Sequence, residues 1–217
     1  LNPDLINAYE VVKTDLVKLI RELKKHRYEE EYFYKIRNVD RTEAFVKWSS
    51  VRRAGRLVYL NKTCYNGLFR VNSKGHFNTP FGKYSDPSIY DPDNLKACNV
   101  ALKRAHLSVA SYLAIEKIIR RDDFVYFDPP YAPINSTSYF TDYSKEGFDT
   151  NMQEELRDLC LRLDRRGVRF MVSNSDVNLI NNLYKGFNIE KVFASRTINS
   201  KGSKRGKITE LIIRNYD

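Results

Sequence analysis

The sequence contains few of the residues that hold metal ions or form disulfide frameworks. Its three cysteines, Cys64, Cys98 and Cys160, lie far apart and form no C-x-x-C pair, and its three histidines are equally scattered. Isolated cysteines in odd number are typical of reduced thiols in a cytosolic protein. We therefore predict no disulfide, no metal site and a cytoplasmic protein.

Long apolar runs are also missing. No stretch approaches the length of a membrane span, and the first residues do not resemble a signal peptide. The chain has 37 Lys and Arg against 27 Asp and Glu, a formal net charge of +10 over 217 residues. This excess predicts a polyanionic partner such as nucleic acid, with a merely solvated basic surface as the alternative.

Glycine is sparse where nucleotide-binding proteins use it most. The nine glycines include no G-x-G pair, and no other phosphate- or nucleoside-binding loop replaces it. The sequence as given therefore contains no glycine-rich cofactor loop.

The most informative segment is Phe124–Tyr131, which reads F-V-Y-F-D-P-P-Y. Its first four residues are aromatic or β-branched, which predicts a strand buried on both faces. Asp128 follows directly, and two prolines then end the strand because they cannot donate to a sheet ladder. The pattern predicts a carboxylate at the C-terminal end of a strand, where open α/β sheets bind their ligands. A solvated aspartate in a plain turn is the alternative.

Methyl transfer to an exocyclic amine suits these residues. The amino nitrogen of adenine or cytosine delocalises its lone pair into the ring and is a poor nucleophile. Asp128 and the carbonyl of Pro129 can accept its two N–H groups and turn the lone pair toward an electrophilic methyl. Pro130 stiffens the turn, and Tyr131 can stack on a base that has left the duplex.

The D-P-P-Y motif resembles the catalytic motif of the amino-methylating, S-adenosylmethionine-dependent DNA methyltransferases. From Asn2 to the C-terminus, the chain resembles their Dam-like D12 class, which methylates adenine N6 in GATC. The resemblance implies an α/β fold, a Rossmann-like methyltransferase sheet with an inserted helical and β-hairpin recognition module. It implies a catalytic domain at 1–20 and 91–217, a recognition module at 21–90, S-adenosyl-L-methionine as methyl donor, and no metal.

The family's glycine-rich cofactor loop, F-x-G-x-G, would lie upstream of Leu1. The family helix that begins near Asn2 follows an acidic residue that holds the cofactor ribose, and that position also precedes Leu1. We therefore expect the chain to be a fragment that lacks its first part. The alternative is a degenerate protein that has lost cofactor binding.

A span without acidic residues precedes the catalytic segment. Between Glu43 and Asp86 there is no Asp or Glu, and basic and aromatic residues are interleaved. A helix through Ala44–Leu60 would place three arginines on one side, suited to phosphates: Arg52, Arg53 and Arg56. We interpret the span as the module that recognises the target, with a structural appendage as the alternative.

A hairpin is predicted over Tyr65–Asn78. Asn66-Gly67 and Lys74-Gly75 would supply its positive-φ positions. A two-stranded ribbon of this kind fits the major groove of duplex DNA. The predicted ribbon therefore suits a module that reads base edges.

The resemblance assigns roles within this ribbon through the signatures at Tyr65–Asn72 and Phe77–Tyr84. It implies that Arg70 reads a guanine edge, that Leu68 and Pro80 touch thymine methyls, and that Tyr65 wedges into the base stack. Further DNA-contacting positions implied here are Asn66, Asn72, Lys83 and Tyr84.

Other segments are predicted to complete the site. A short strand at Leu107–Ala110 would bring Ser111 and Tyr112 to the cofactor adenine, as the resemblance implies, although a tyrosine after a strand is more often a packing residue. A helix at Tyr112–Arg121 would follow. Asp128 is also implied as a cofactor contact.

The loop Ala132–Phe148 is predicted to close over base and cofactor, with Tyr139 as a DNA contact by resemblance. Arg169–Val172 reads as a buried strand that leads to a pocket-shaping Asn174. The C-terminal segment is predicted to be a hairpin of Ile189–Ile198 and Ile208–Arg214. The loop between these strands would contact phosphates through Lys201, Lys204 and Arg205.

Two rival functions stay open at this point. Related D-P-P-Y or N-P-P-Y enzymes methylate RNA adenines, DNA cytosines or protein glutamines. A chain without a glycine loop could also be a non-catalytic DNA-binding relic. The favoured prediction is an adenine-N6 methyltransferase that acts on double-stranded DNA as a monomer or weak dimer.

Overall fold

The computed structural model describes residues 2–134, 148–195 and 207–217. The chain forms two compact units, Leu1–Ala110 and Ser111–Asp217. The predicted functional division, with recognition residues at 21–90, has different boundaries. It concerns contacts with DNA and with the methyl donor, so it stays a prediction.

Helices build the first unit. Their bounds are α1 Pro3–Thr14, α2 Leu16–Leu23, α3 Glu30–Asn38, α4 Ser50–Thr63 and α5 Pro92–Leu102. Short 3-10 helices lie at Val39–Arg41, Glu43–Lys47 and Tyr65–Gly67. The side chains of Asn2, Ser49 and Asp91 begin α1, α4 and α5 by accepting backbone N–H groups that the first turn leaves unpaired.

Helix α4 is the centre of the first unit because two apolar clusters meet on it. Ala54 and Leu57 pack with a cluster from α1 and α2 that includes Leu19. Tyr59 belongs to a second cluster with Phe33 of α3. All of these side chains are buried, so the segment after α4, which the sequence predicts to recognise DNA, follows a well-packed helix.

The predicted helix Ala44–Leu60 is wrong in its first turns, and one of its arginines has a different role. Residues Glu43–Lys47 form a 3-10 helix, and α4 begins only at Ser50. Arg56 does not face solvent but is 5% exposed and lies 2.7 Å from the Asp40 carboxylate. A buried cation needs a partner of opposite charge, and the sequence alone does not reveal that Asp40 supplies it.

The predicted hairpin is a short ribbon without regular strands. A single bridge joins Val71 to Phe77, and the N–H of Asn72 donates to the carbonyl of His76 at 2.9 Å. The positive-φ positions are as predicted, with φ of 53° at Asn66 and 76° at Gly75. Asn66 lies in the 3-10 turn that ends α4, however, so only the second turn belongs to the ribbon.

The second unit contains a mixed four-stranded sheet with the order β1-β2-β4-β3. Its strands are β1 Phe124–Phe127, β2 Arg169–Ser175, β3 Asn188–Ser195 and β4 Lys207–Arg214, and its helices are α6 Thr150–Arg165 and α7 Asn178–Leu183. Strands β1 and β2 are parallel, and β4 is antiparallel to both β2 and β3. The α/β class and the C-terminal hairpin are confirmed.

Strand β1 is buried on one face and not on both, contrary to the prediction. Val125 and Phe127 lie in the core, whereas Phe124 and Tyr126 are 54% and 53% exposed. In the described part of this unit, residues of α6, of α7 and of the segment 112–119 pack against the core face of the sheet. The aromatic residues Phe124 and Tyr126 therefore lie on an exposed face of β1, which the sequence pattern did not distinguish from a buried face.

The predicted strand Leu107–Ala110 is also wrong. The segment has no strand partner among the described residues, and Val109 is 47% exposed. The predicted helix Tyr112–Arg121 is a 3-10 helix over Tyr112–Lys117. A short apolar run forms a strand only where a neighbouring strand pairs with it.

Candidate active site

The D-P-P-Y turn leaves β1 beside the end of β2. Because the two strands are parallel and Phe127 is in register with Val172, Asp128 comes next to Ser173. The Ser173 hydroxyl donates to Asp128 Oδ1 at 2.9 Å. It accepts in turn from the Tyr126 hydroxyl at 3.0 Å. The predicted carboxylate at a strand end is therefore present, and it has a specific partner.

A second group of contacts holds the prolines. Gln153, the fourth residue of α6, donates through Nε2 to the carbonyl of Pro130 at 3.0 Å. The Asn174 Nδ2 group donates to Gln153 Oε1 at 3.0 Å, and Asn174 Oδ1 accepts from the backbone N–H of Ala132 at 3.0 Å. Gln153 and Asn174 are 1% and 0% exposed. A buried hydrogen-bond network thus holds the turn, and the side-chain amides of Gln153 and Asn174 both have partners in it.

Tyr131 is the last residue of the D-P-P-Y turn and lies partly exposed at the surface. Its hydroxyl lies 3.3 Å from Glu210 Oε2 of β4, and its ring is 38% exposed. Partial burial raises the pKa of the Tyr131 phenol above its ordinary value, so the group stays neutral at physiological pH. A neutral, half-exposed ring that is held at its tip can offer one face to a planar ligand.

Several acceptors of the turn carry no hydrogen bond within the described residues, and two of them suit a ligand that brings two donors. These two are Asp128 Oδ2 and the carbonyl oxygen of Pro129, since Ser173 donates to the other carboxylate oxygen and Gln153 to the next carbonyl. Asp128 is exposed. One carboxylate oxygen and one carbonyl oxygen are therefore available to a ligand that brings two donors.

The two residues predicted to line the cofactor adenine have structural partners. Ser111 Oγ accepts from the N–H of Leu113 and begins the 3-10 helix there. The Tyr112 hydroxyl donates to Glu155, and its ring packs against Phe148. Burial is the main cause that raises the pKa of the Tyr112 phenol. Their role toward a methyl donor stays a prediction.

The residues predicted to read DNA lie together in the first unit, and nearly all are exposed. The Arg70 Nε group donates to Asn78 Oδ1 at 2.8 Å, which extends the guanidinium along the ribbon. Asn72 is half-buried, and its Oδ1 accepts from the N–H groups of Lys74 and His76, which gives it a structural role in the turn. The exposed members are Tyr65, Asn66, Leu68, Arg70, Pro80, Lys83 and Tyr84.

Exposed apolar side chains mark the same ribbon. Tyr65 is 47% exposed, and Leu68, Phe69 and Val71 are each at least 40% exposed. Contiguous apolar groups among basic residues are typical of an interaction surface. The predicted contacts Tyr139, Lys201, Lys204 and Arg205 lie outside the described residues, as does most of the predicted closing loop.

The described residues lack two other features, a metal-binding cluster and a membrane-spanning helix. Among the described residues, no group of three or more His, Cys, Asp or Glu could hold a metal ion. No helix in the described ranges combines the length and the apolar character that crossing a membrane requires.

Comparison with known proteins decides the family. The family model for the D12 class N6 adenine-specific DNA methyltransferases matches residues 1–198. The chain belongs to this family. The family and the adenine-N6 reaction predicted from the sequence are thereby confirmed, and the enzyme is a site-specific DNA methyltransferase. Its family implies S-adenosylmethionine as the source of the methyl group.

Relatives of the D12 enzyme include proteins named type II methyltransferase and proteins named DNA adenine methylase. It is 43% identical to the type II methyltransferase M.MjaIII of Methanocaldococcus jannaschii, over 100% of this chain and 78% of the relative. It is 43% identical to M1.LlaDCHI of Lactococcus lactis, over 99% and 77%. It is 34% identical to the DNA adenine methylase of Escherichia coli, over 98% and 76%.

Reasoning from the sequence assigned Tyr126 and Gln153 no role at the D-P-P-Y turn. A signal for Gln153 was available. In α6, the buried positions include Gln153, Leu156, Cys160 and Leu163, which share one helical face. A polar residue on an otherwise apolar face must find a buried partner, and here the partners are the D-P-P-Y turn and Asn174.

Proposed function

We propose that this D12 methyltransferase modifies adenine within the duplex sequence GATC, with S-adenosyl-L-methionine as methyl donor. The observation that carries the proposal is a pair of acceptors in the turn after β1, Asp128 Oδ2 and the Pro129 carbonyl, that have no hydrogen-bond partner within the described residues. An exocyclic amine brings two N–H donors. The pair therefore suits this group in both number and polarity.

In the proposed reaction, the turn holds the target amine. The carboxylate of Asp128 accepts one N–H and the carbonyl of Pro129 accepts the other, which draws the nitrogen toward tetrahedral geometry and frees its lone pair. When bound, S-adenosyl-L-methionine would supply the electrophilic methyl: the S–CH3 bond would break as the N–CH3 bond forms, S-adenosylhomocysteine would leave, and the surplus proton on nitrogen would pass to solvent. Fixed acceptors that need no reorganisation at the moment of transfer account for much of such a rate enhancement.

Tyr131 completes the proposed base pocket. An adenine inside the duplex cannot reach the turn, so the target base must leave the stack. Its π-face can then stack on the half-exposed Tyr131 ring, whose hydroxyl is held by Glu210. Asp128, Ser111 and Tyr112 are proposed contacts of the methyl donor. We also propose that the enzyme acts on DNA in the cytoplasm, as a monomer or a weak dimer.

The exposed ribbon of the first unit is proposed to read the site. Its span contains no acidic residue, so nothing on it repels phosphates. Arg70 is proposed to read guanine, Leu68 and Pro80 to touch thymine methyls, and Tyr65 to wedge into the stack. Asn66, Asn72, Lys83, Tyr84, Tyr139, Lys201, Lys204 and Arg205 are the further proposed contacts.

Transfer of labelled methyl into defined duplexes tests the proposal. One duplex contains a single GATC, and the matched duplex contains GTTC, which keeps adenines on the opposite strand. We expect label only in the GATC duplex, recovered as N6-methyladenine. Equal label in both duplexes would refute the proposed site but not the chemistry, and label recovered in cytosine would refute the proposed base.

Replacement of Arg70 tests the proposed reading of guanine. We expect Arg70→Ala to lose about 1–3 kcal/mol of discrimination at one base pair, because an arginine fork matches the two acceptors of guanine. Binding to the cognate duplex and to duplexes with each base pair changed would be measured by competition. Lys74→Ala, on the same ribbon and exposed, is the matched control and should weaken binding to all sequences alike.

A selectivity loss of the same size in both variants would contradict the assignment of Arg70. Uniform weakening in Arg70→Ala would reassign this side chain to a phosphate contact.

A further inference from the structure

We propose that Gln153, Ser173 and Tyr126 are positioning residues that leave the D-P-P-Y turn with two usable acceptors in the right places. The inference rests on the proposed function of the turn. It adds that acceptor choice is set by side chains outside the motif, through hydrogen bonds to atoms that the target amine must not use.

The turn by itself is ambiguous. A carboxylate has two equivalent oxygens and rotates readily about its terminal torsion, and two consecutive prolines present two neighbouring carbonyls. Prolines have no N–H groups with which the turn could fix itself. An amine meeting an unsupported turn could be held by several pairs of oxygens, and only one pair would direct the lone pair at the methyl group.

Gln153 removes one of the wrong choices. Its Nε2 group donates to the Pro130 carbonyl at 3.0 Å, so the Pro129 carbonyl is the one left available. The direction of this amide is fixed because its Oε1 accepts from Asn174 at 3.0 Å. Asn174 is fixed in turn, since its Oδ1 accepts from the N–H groups of Ala132 and Ser175. Backbone donors at the end of the chain of contacts leave one consistent orientation for both amides.

Ser173 removes the other wrong choice. Its hydroxyl proton is directed to Asp128 Oδ1, because its oxygen already accepts from the Tyr126 hydroxyl at 3.0 Å. This contact fixes the rotation of the carboxylate and leaves Oδ2 without a partner among the described residues. Ser173 is 3% exposed and therefore well fixed, whereas the Tyr126 ring is 53% exposed. Tyr126 can thus lose its hydroxyl with little effect on packing.

The consequence is an effect on the rate of transfer and not on DNA binding. A misdirected acceptor leaves the duplex contacts intact and displaces the reacting nitrogen, and a displacement of about 1 Å costs about 100-fold in rate. The most informative change is Gln153→Glu, which keeps size and shape but places a carboxylate oxygen against the Pro130 carbonyl.

The test compares four variants in the full-length enzyme on a duplex with one GATC. Single-turnover transfer, duplex Kd and thermal midpoint are measured for Gln153→Glu, Ser173→Ala, Ser173→Thr and Tyr126→Phe. Tyr216→Phe is the matched control, since its ring packs on Phe124 at the other end of β1. We expect Gln153→Glu and Ser173→Ala to slow transfer about 10- to 100-fold with Kd within about twofold.

The remaining expectations separate positioning from folding. Ser173→Thr should restore most of the rate that Ser173→Ala loses, Tyr126→Phe should slow transfer severalfold at an unchanged midpoint, and Tyr216→Phe should leave it unchanged. The inference is overturned if Ser173→Ala and Tyr126→Phe transfer at the wild-type rate, whatever Gln153→Glu does. Asp128→Ala separates failure of the positioning roles from failure of the proposed function. If Asp128→Ala is inactive while the Gln153, Ser173 and Tyr126 variants are fully active, the proposed function stands and the positioning roles are refuted.

Discussion

Asp128→Ala is expected to reduce methyl transfer by about 10²–10³-fold or more while the enzyme still binds its duplex. The magnitude follows from the loss of a fixed electrostatic contact at the reacting atom. Duplex binding should persist because the side chain is exposed and contributes no core packing. Single-turnover transfer and duplex Kd, measured on the same preparation, check both halves of this expectation.

Two further variants sharpen the Asp128 test. Asp122→Ala removes an exposed carboxylate just before β1 and should leave transfer unchanged. Asp128→Asn keeps the shape of the side chain but replaces one acceptor by a donor, so it should be nearly as inactive as the alanine variant. Full activity of Asp128→Ala would refute the role of the turn in catalysis.

The second large effect is expected on stability. Asp40→Ala should lower the free energy of unfolding of the first unit by about 3–5 kcal/mol, because it leaves a buried arginine without its counter-ion. Asp40 Oδ2 lies 2.7 Å from Arg56 and also accepts from the N–H of Phe77 at 2.8 Å, so one carboxylate joins α4 to the ribbon. Burial lowers the pKa of Arg56, but the guanidinium stays charged. In Asp40→Ala the free-energy cost of a buried, unpaired charge therefore remains.

The measurement can be confined to the unit in question. Trp48 is the only tryptophan, and the Arg52 guanidinium lies 3.6 Å from its ring centroid, so its fluorescence in urea reports the first unit. Asp93→Ala is the matched control, since the Lys96–Asp93 pair is largely exposed and worth about 0–1 kcal/mol. Equal shifts in the two variants would show that the Asp40 contact is not the buried ion pair described above.

The sequence predicted the parts of the fold that depend on local chemistry. Asp128 had to follow a strand, because two prolines end any ladder, and the C-terminal hairpin followed from alternation alone. The position of Gly75 in a positive-φ turn was likewise a local matter. Each of these features is decided by neighbouring residues along the chain.

The features that were missed depend on distant partners. In the sequence, Arg56 looks like a phosphate-binding arginine, because its buried partner Asp40 cannot be recognised there. Val109 looks like a strand residue, because the sequence does not show that no strand pairs with its segment. Gln153 lies 23 residues from Pro130, whose carbonyl it holds. Only the fold decides whether such side chains are surface or support.

The proposed acceptor pair of the turn would also exclude bases that carry a keto group in place of the amine. In the proposed pocket, the two acceptor oxygens attract an amine and repel a keto group, so thymine and guanine, which carry O4 and O6 at comparable positions, would meet lone pair against lone pair. The same repulsion extends to hypoxanthine, the product of adenine deamination. A lesion of this kind within the recognition site would thus be left unmethylated, and the chemistry that selects the base would also exclude its damaged form.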